Sequence, residues 1–248
     1  MVSPYHRHMV DHPDSDRRFG PDGAPRVDAR PAYVGDGRVY SREELISDAA
    51  VHLVALISAL AAVPVLITLT AIWHGTFTGI VGVTIYGICL ITMLSASLAY
   101  NHVYHPDWKE RLRRLDLSAI YLKIAGTVTP FALLSGAGAT FLAAMWTAAV
   151  VATVTVFLRR RRSTAVSVGI ALAMGWAVLL GGQGVIGSVS WPVLGLMVAG
   201  GVVYTLGTPF LLMERVRYHN TIWHAFVVTA SVIYFVAVFL HAAQSVMG

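Results

Sequence analysis

The chain has 248 residues, of which 56% are hydrophobic and 12% charged, with a net charge of +5 and a mean hydropathy of +0.66. Soluble domains carry about a quarter charged residues. Here the charges gather in residues 1–45 and in three short clusters between long apolar runs, which excludes an ordinary water-soluble globule. The basic residues flank apolar runs, so they point to topology and anionic lipid headgroups rather than to a nucleic-acid partner.

In chain order, residues 1–44 come first, a polar segment rich in Pro, Asp, Arg and Gly without hydrophobic periodicity. It has no apolar h-region, so no secretory leader is expected, and its composition predicts a disordered cytoplasmic tail. His6, His8 and His12 are read as chance histidines of that tail. Residues 45–248 form the membrane domain. Stretches of about 20 apolar residues cross a bilayer core, and seven candidates follow, at 50–71, 80–100, 117–134, 141–158, 165–180, 191–213 and 222–246. Backbone groups must be satisfied within lipid, so each is expected to be a helix. The only cysteine, Cys89, lies inside the second stretch and has no intrachain partner.

Lys and Arg alternate strictly over the connections. The tail is rich in arginine, whereas the connections at 73–78, 135–140 and 181–190 have neither residue. Lys109, Arg111, Arg113 and Arg114 mark the second connection, Arg159–Arg162 the fourth, and Arg215 and Arg217 the sixth. The positive-inside rule then predicts an all-α, seven-transmembrane bundle in the inner (plasma) membrane, N-terminus cytoplasmic and C-terminus extracytoplasmic. The run 159–162 is read as a topology determinant.

Ionisable groups inside spans are costly and mark function. Asp48 and His52 sit one turn apart at the start of the first span, and Ser97 and Asn101 at the end of the second. Asp116 starts the third, with Lys123 two turns deeper, and Asn220 and His224 start the seventh. Each alone has an ordinary reading: a cap, a dipole partner, a packing residue or a snorkelling lysine. Together they come from four helices and all fall in one half of the bundle, which predicts a shared polar site at its cytoplasmic end.

These residues resemble the hemolysin III family, the bacterial branch related to the progestin and adipoQ receptors. The resemblance is carried by Glu43-Glu44 through His52, by Ser97-Leu-Ala-Tyr-Asn101-His-Val-Tyr-His-Pro, by Leu112-Arg-Arg-Leu-Asp116, by Ile124-Ala-Gly-Thr-Val-Thr-Pro-Phe131 and by Asn220-Thr-Ile-Trp-His224. It implies seven helices and a zinc site near the cytoplasmic face, held by one His of the second span and two of the last. An Asp starting the third span would orient a metal-bound water, beside a Ser one turn before the first His. Here the metal-ligand positions fall on Asn101, Asn220 and His224, while Ser97 and Asp116 keep the tentative catalytic positions.

One His and one Asp would hold zinc weakly, because amide oxygens replace imidazole poorly on a borderline-soft ion. His102 and His219 adjoin the two vacancies, but one helical residue turns a side chain by about 100°. His105 lies three residues beyond His102. Alternatively, Lys123 pairs with Asp116 or Asp48 and replaces part of the metal's charge, with Asn101 and Asn220 bonding across helices. The expected function is lipid binding, lipid sensing or maintenance of membrane composition, with membrane lipids as partners. A zinc-dependent hydrolase of lipid amides or esters is the alternative, since relatives have been linked to ceramide hydrolysis. A pore-forming cytolysin and a proton-relay transporter are lesser readings, because no span carries a polar stripe along its whole length. Gly195, Gly200 and Gly201 permit close packing in the sixth span, within or between chains.

Overall fold

The computed structural model describes residues 33–35, 38–103, 105–158, 163–213 and 215–245. His6, His8, His12 and Arg159–Arg162 lie outside the described residues. Two compact units are present, Met1–Leu45 and Ile46–Gly248.

In the first unit, strands β1 (Tyr33–Gly35) and β2 (Arg38–Tyr40) pair antiparallel with Tyr33 opposite Tyr40. This short hairpin stands within the segment read from sequence as tail. Its residues are β-formers, Tyr-Val and Val-Tyr, flanking a Gly-Asp-Gly sequence. A reciprocal cap follows: the Ser41 amide donates to Glu44 Oε2 at 2.9 Å and the Glu44 amide to Ser41 Oγ at 3.3 Å. This capping box satisfies two otherwise orphaned donors and fixes the start of α1 (Arg42–His74).

Helices α2 (Phe77–His102), α3 (Pro106–Ser135), α4 (Ala139–Leu158), α5 (Thr164–Gly181), α6 (Gln183–Ile186), α7 (Trp191–Leu212) and α8 (His219–Gln244) complete the second unit. Among the described residues six helices are long and apolar enough to cross a membrane: α1, α2, α3, α4, α7 and α8. The fifth expected span corresponds to α5, which is apolar but shorter. The arginine run just before it limits the apolar length available there.

Several helices outrun the apolar stretches that announce them. With 33 residues, α1 is about 50 Å long, well beyond a hydrocarbon core of about 30 Å. Helix α3 begins eleven positions before Leu117, with Pro106 in its first turn, where a missing N–H costs nothing. Asp48 and Asp116 therefore sit inside helices with fixed facing, not at frayed ends.

Helix α3 is central and packs against α2, α4, α5 and α8, while α7 pairs with α8. Small residues allow the close approaches. A Cβ on Gly82 would stand 3.2 Å from the Cα of Pro130, so α2 lies directly on the proline-containing turn of α3. On α7, a Cβ on Gly200 would stand 2.6 Å from the Tyr234 ring, so this glycine seats an aromatic of α8 within the same chain. Gly201 meets Trp176, and Gly195 meets nothing within 4 Å. Polar side chains tie the helices laterally: Trp146 Nε1 donates to Thr129 at 3.1 Å, Tyr121 Oη to the Ser167 carbonyl at 3.2 Å, and Trp176 Nε1 to Thr205 at 3.1 Å. Bonds of this kind are worth about 1 kcal/mol each in a bilayer.

Candidate functional site

The site is built at the end of the bundle where α1, α3 and α8 begin and α2 ends. Asp48 is its hub and is buried at 4% exposure. Its Oδ1 lies 2.6 Å from His224 Nδ1, and its Oδ2 lies 3.1 Å from His102 Nε2. Its own carbonyl lies 2.9 Å from His52 Nδ1, one turn along α1. Carboxylate and carbonyl oxygens only accept, so each of these three ring nitrogens carries the proton and donates.

In neutral rings the opposite nitrogens then carry the lone pairs. His52 Nε2 and His224 Nε2 are lone-pair acceptors, and both face the Ser97 hydroxyl, at 3.1 Å and 3.4 Å. The two rings stand edge to face with centroids 4.1 Å apart. Asp116 interacts with the same Ser97 hydroxyl and with His224. Ser97 has a single hydrogen to give. Two imidazole lone pairs and a carboxylate therefore converge on one donor, and the node has more acceptors than hydrogens. An added proton or a cation balances such a set.

The geometry brings together Asp48, His52, Ser97, Asp116 and His224 from four helices. For Asn101 the bond differs from the expected one across helices. Asn101 Nδ2 donates to the Ser97 carbonyl at 2.9 Å, back along its own helix rather than across to another, and Asn220 is half-buried one turn before His224. His102, the last residue of α2, reaches Asp48 of α1 without unwinding the helix. His219 points elsewhere: its Nδ1 lies 3.2 Å from the Phe210 carbonyl, where it caps the end of α7. His105 is exposed at the N-cap of α3, 3.8 Å from Asp107.

The expected pairing of Lys123 with Asp116 or Asp48 is also corrected. Its Nζ donates to Tyr204 Oη at 2.7 Å and lies 4.5 Å and 5.1 Å from the ring centroids of Tyr204 and Tyr234. Among the described residues no carboxylate lies within salt-bridge distance of it. Seven helical residues separate it from Asp116, a rise of about 10 Å that a side chain does not span. Tyr204 in turn bonds Ser231 of α8 at 2.9 Å. Sequence reasoning passed over Tyr234 and Ser231. The available signal was spacing, since Ser231 lies two turns beyond His224 and so shares its face of α8.

A cavity of about 140 Å³ joins these two polar poles. Ser97, Asp116 and His224 line one end, Lys123, Tyr204 and Tyr234 line its flank, and apart from Thr127, Ser167 and Thr208 the remaining wall is apolar and aromatic, including Ile120, Phe131, Trp176 and Met197. It lies among α2, α3, α5, α7 and α8. In one class of ligand a few fixed polar groups orient a mostly apolar molecule, and such a site has this composition.

Fold and site define a multi-pass helical membrane protein with a buried Asp-His-His group opening on an intramembrane cavity. The haemolysin-III-related family profile matches residues 41–235. The chain belongs to that family. It is 32% identical to hemolysin-3 of Bacillus cereus over 202 residues, covering 80% of this chain and 92% of that protein. It is also 30% identical to the hemolysin-3 homolog of Bacillus subtilis (strain 168) over 209 residues, covering 83% and 98%.

Proposed function

We propose that this protein binds a lipid-derived amphiphile in the cavity between the Ser97 node and Lys123, and through it senses or helps maintain membrane composition. The observation that carries this is the cavity itself, an apolar chamber inside the bundle with polar groups only at set points. Seven spans with a cytoplasmic N-terminus would put the node at the inner leaflet of the plasma membrane, where headgroups are within reach. Membrane lipids are then both ligand and surroundings. The test is mass spectrometry of lipids extracted from tag-free, detergent-purified protein. A stoichiometric lipid in the wild type, absent from the cavity-filling Ala171→Trp variant, is the expected result. The same lipids at equal amounts in both would contradict it.

A second reading, a metal-dependent hydrolase of lipid amides or esters, is favoured by the acceptor surplus at the node. One oxygen of Asp48 and one ring nitrogen each of His52 and His224 lie within 4.8 Å of one another. Imidazole nitrogens and a carboxylate suit zinc in kind, so the residues present fit the ion although the family positions at Asn101 and Asn220 do not supply it. Asp48, His52 and His224 would hold it, and a bound ion would supply Lewis acidity toward a carbonyl. Asp116 with Ser97 is placed to orient a water or take its proton. Elemental mass spectrometry decides between the readings. Close to one zinc per chain, lost in His224→Ala, favours the hydrolase; no zinc leaves the binding protein.

A further inference from the structure

Ser97 stands on α2 at one end of the cavity, and its hydroxyl serves other helices rather than its own. Ser and Thr hydroxyls within a helix often bond the carbonyl one turn back. Those of Thr70, Thr84, Thr127 and Thr129 do so here. The Ser97 hydroxyl instead faces His52 Nε2 at 3.1 Å and His224 Nε2 at 3.4 Å. The two rings differ in what holds the other nitrogen. His52 Nδ1 lies 2.9 Å from a backbone carbonyl and 3.4 Å from Asp48 Oδ2, whereas His224 Nδ1 lies 2.6 Å from Asp48 Oδ1. Of the two rings, His224 also lines the cavity. Ser97, His224 and Asp48 are thus joined hydroxyl to ring nitrogen and ring nitrogen to carboxylate. This order of contacts activates a serine in hydrolases of unrelated folds. Asp116 faces the same ring from α3, so a proton taken by His224 places its charge between two carboxylates.

We infer that Ser97 is a nucleophile, with His224 as its base and Asp48 as the residue that positions His224, and that it cleaves an acyl ester. This inference rests on the cavity admitting an acyl chain, and it gives the hydrolase reading a covalent route. Ser97 Oγ bonds the carbonyl carbon while its proton passes to His224 Nε2. The bond from that carbon to the alcohol oxygen then breaks, and His224 gives the proton to the departing oxygen. Water opens the acyl-serine by the same path. His224 takes a proton from the water, whose oxygen bonds the carbonyl carbon. Ser97 Oγ leaves and recovers its proton from His224. Ester and water become acid and alcohol, and the side chains end as they began. Asp48 touches no reacting atom; it holds the ring by Nδ1–H and offsets the charge the ring gains. A His224 Nε2 lone pair given to an ion is not available for this proton, so the ion-bound and covalent routes exclude each other.

The test treats tag-free, full-length protein in neutral detergent with a long-chain alkyl fluorophosphonate, which bonds an activated serine and releases fluoride. One adduct per chain is expected, mapped by peptide mass spectrometry to Ser97 and formed equally fast with a zinc chelator present. Ser97→Ala should carry no adduct. His224→Ala should label more slowly by at least about a hundredfold. Asp48→Asn should lower the maximal labelling rate by about tenfold or more at an unchanged half-saturating probe concentration, a split that a merely structural role would not give. Should either of these two variants fail to fold, the mapped wild-type adduct and its absence from Ser97→Ala still decide. An adduct on another residue, or one lost to the chelator and restored by zinc, overturns the covalent route. No adduct in wild type that still retains a bound lipid overturns the role of Ser97 and leaves the cavity standing. No adduct and no bound lipid overturns both.

Discussion

Asp48 accepts from imidazoles on two other helices, so one carboxylate stitches α1 to α2 and α8. Charge-assisted hydrogen bonds to a buried carboxylate contribute about 1.5–3 kcal/mol each. Asp48→Asn removes the charge and gives His224 Nδ1–H a poorer acceptor, so it should lower thermal stability by about 3 kcal/mol, read as a clear fall in the apparent melting temperature in detergent. His224→Gln should cost a similar amount. The double variant should cost clearly less than the sum, because both changes break one interaction. Strict additivity would mean that the 2.6 Å contact carries no energy. At this scale the sequence was informative about place and less so about pairing. One-turn spacings put Asp48, His52, Ser97 and His224 at one end of the bundle. Which nitrogen meets which oxygen depends on helix rotation to within tens of degrees, and periodicity does not supply that. Hence His102, discounted because it sits about 100° from Asn101, is the residue that reaches Asp48.

The helices show where sequence patterns stop short. Apolar runs mark the lipid-facing length of each span, but α1 and α3 extend beyond it because their polar turns carry good helix signals, a capping box and an early proline. The pairing of α7 with α8 was visible only as a run of glycines whose partner was open. Packing decides it: Gly200 faces Tyr234, and Gly195 faces open space. Gly200→Ala would force a Cβ into the Tyr234 ring. It should destabilise the bundle by about 1–3 kcal/mol and weaken ligand binding by moving Tyr234 off Lys123. Gly195→Ala meets nothing, and should leave stability unchanged or raise it by up to about 1 kcal/mol. Thermal denaturation of the two variants side by side checks the contrast. Equal loss at both sites would argue against this packing of α7 on α8.

For the whole molecule, the number of crossings decides where the polar node meets water. Among the described residues six helices are long enough by themselves, and α5 is the element on which the seventh crossing depends. If α5 crosses, the termini lie on opposite sides, as the alternation of arginine-rich and arginine-free connections predicts. Replacing Cys89 and introducing Ser3→Cys or Ser245→Cys in turn gives a direct reading with a membrane-impermeant thiol reagent on intact cells. Labelling of the C-terminal cysteine alone is expected. Labelling of both or of neither would mean an even number of crossings.

The most direct measurement of the central claim is quenching of tryptophan fluorescence by a brominated single-chain amphiphile. Trp176 and Trp223 line the cavity, so a bound bromine lies close to both. Saturable quenching near one equivalent per chain, abolished in Ala171→Trp once its added tryptophan is allowed for and competed away by the unbrominated compound, is the predicted result. Quenching that rises without saturation, unchanged by competitor and equal in the filled variant, would show only bulk partition into the detergent and would contradict a lipid-binding cavity.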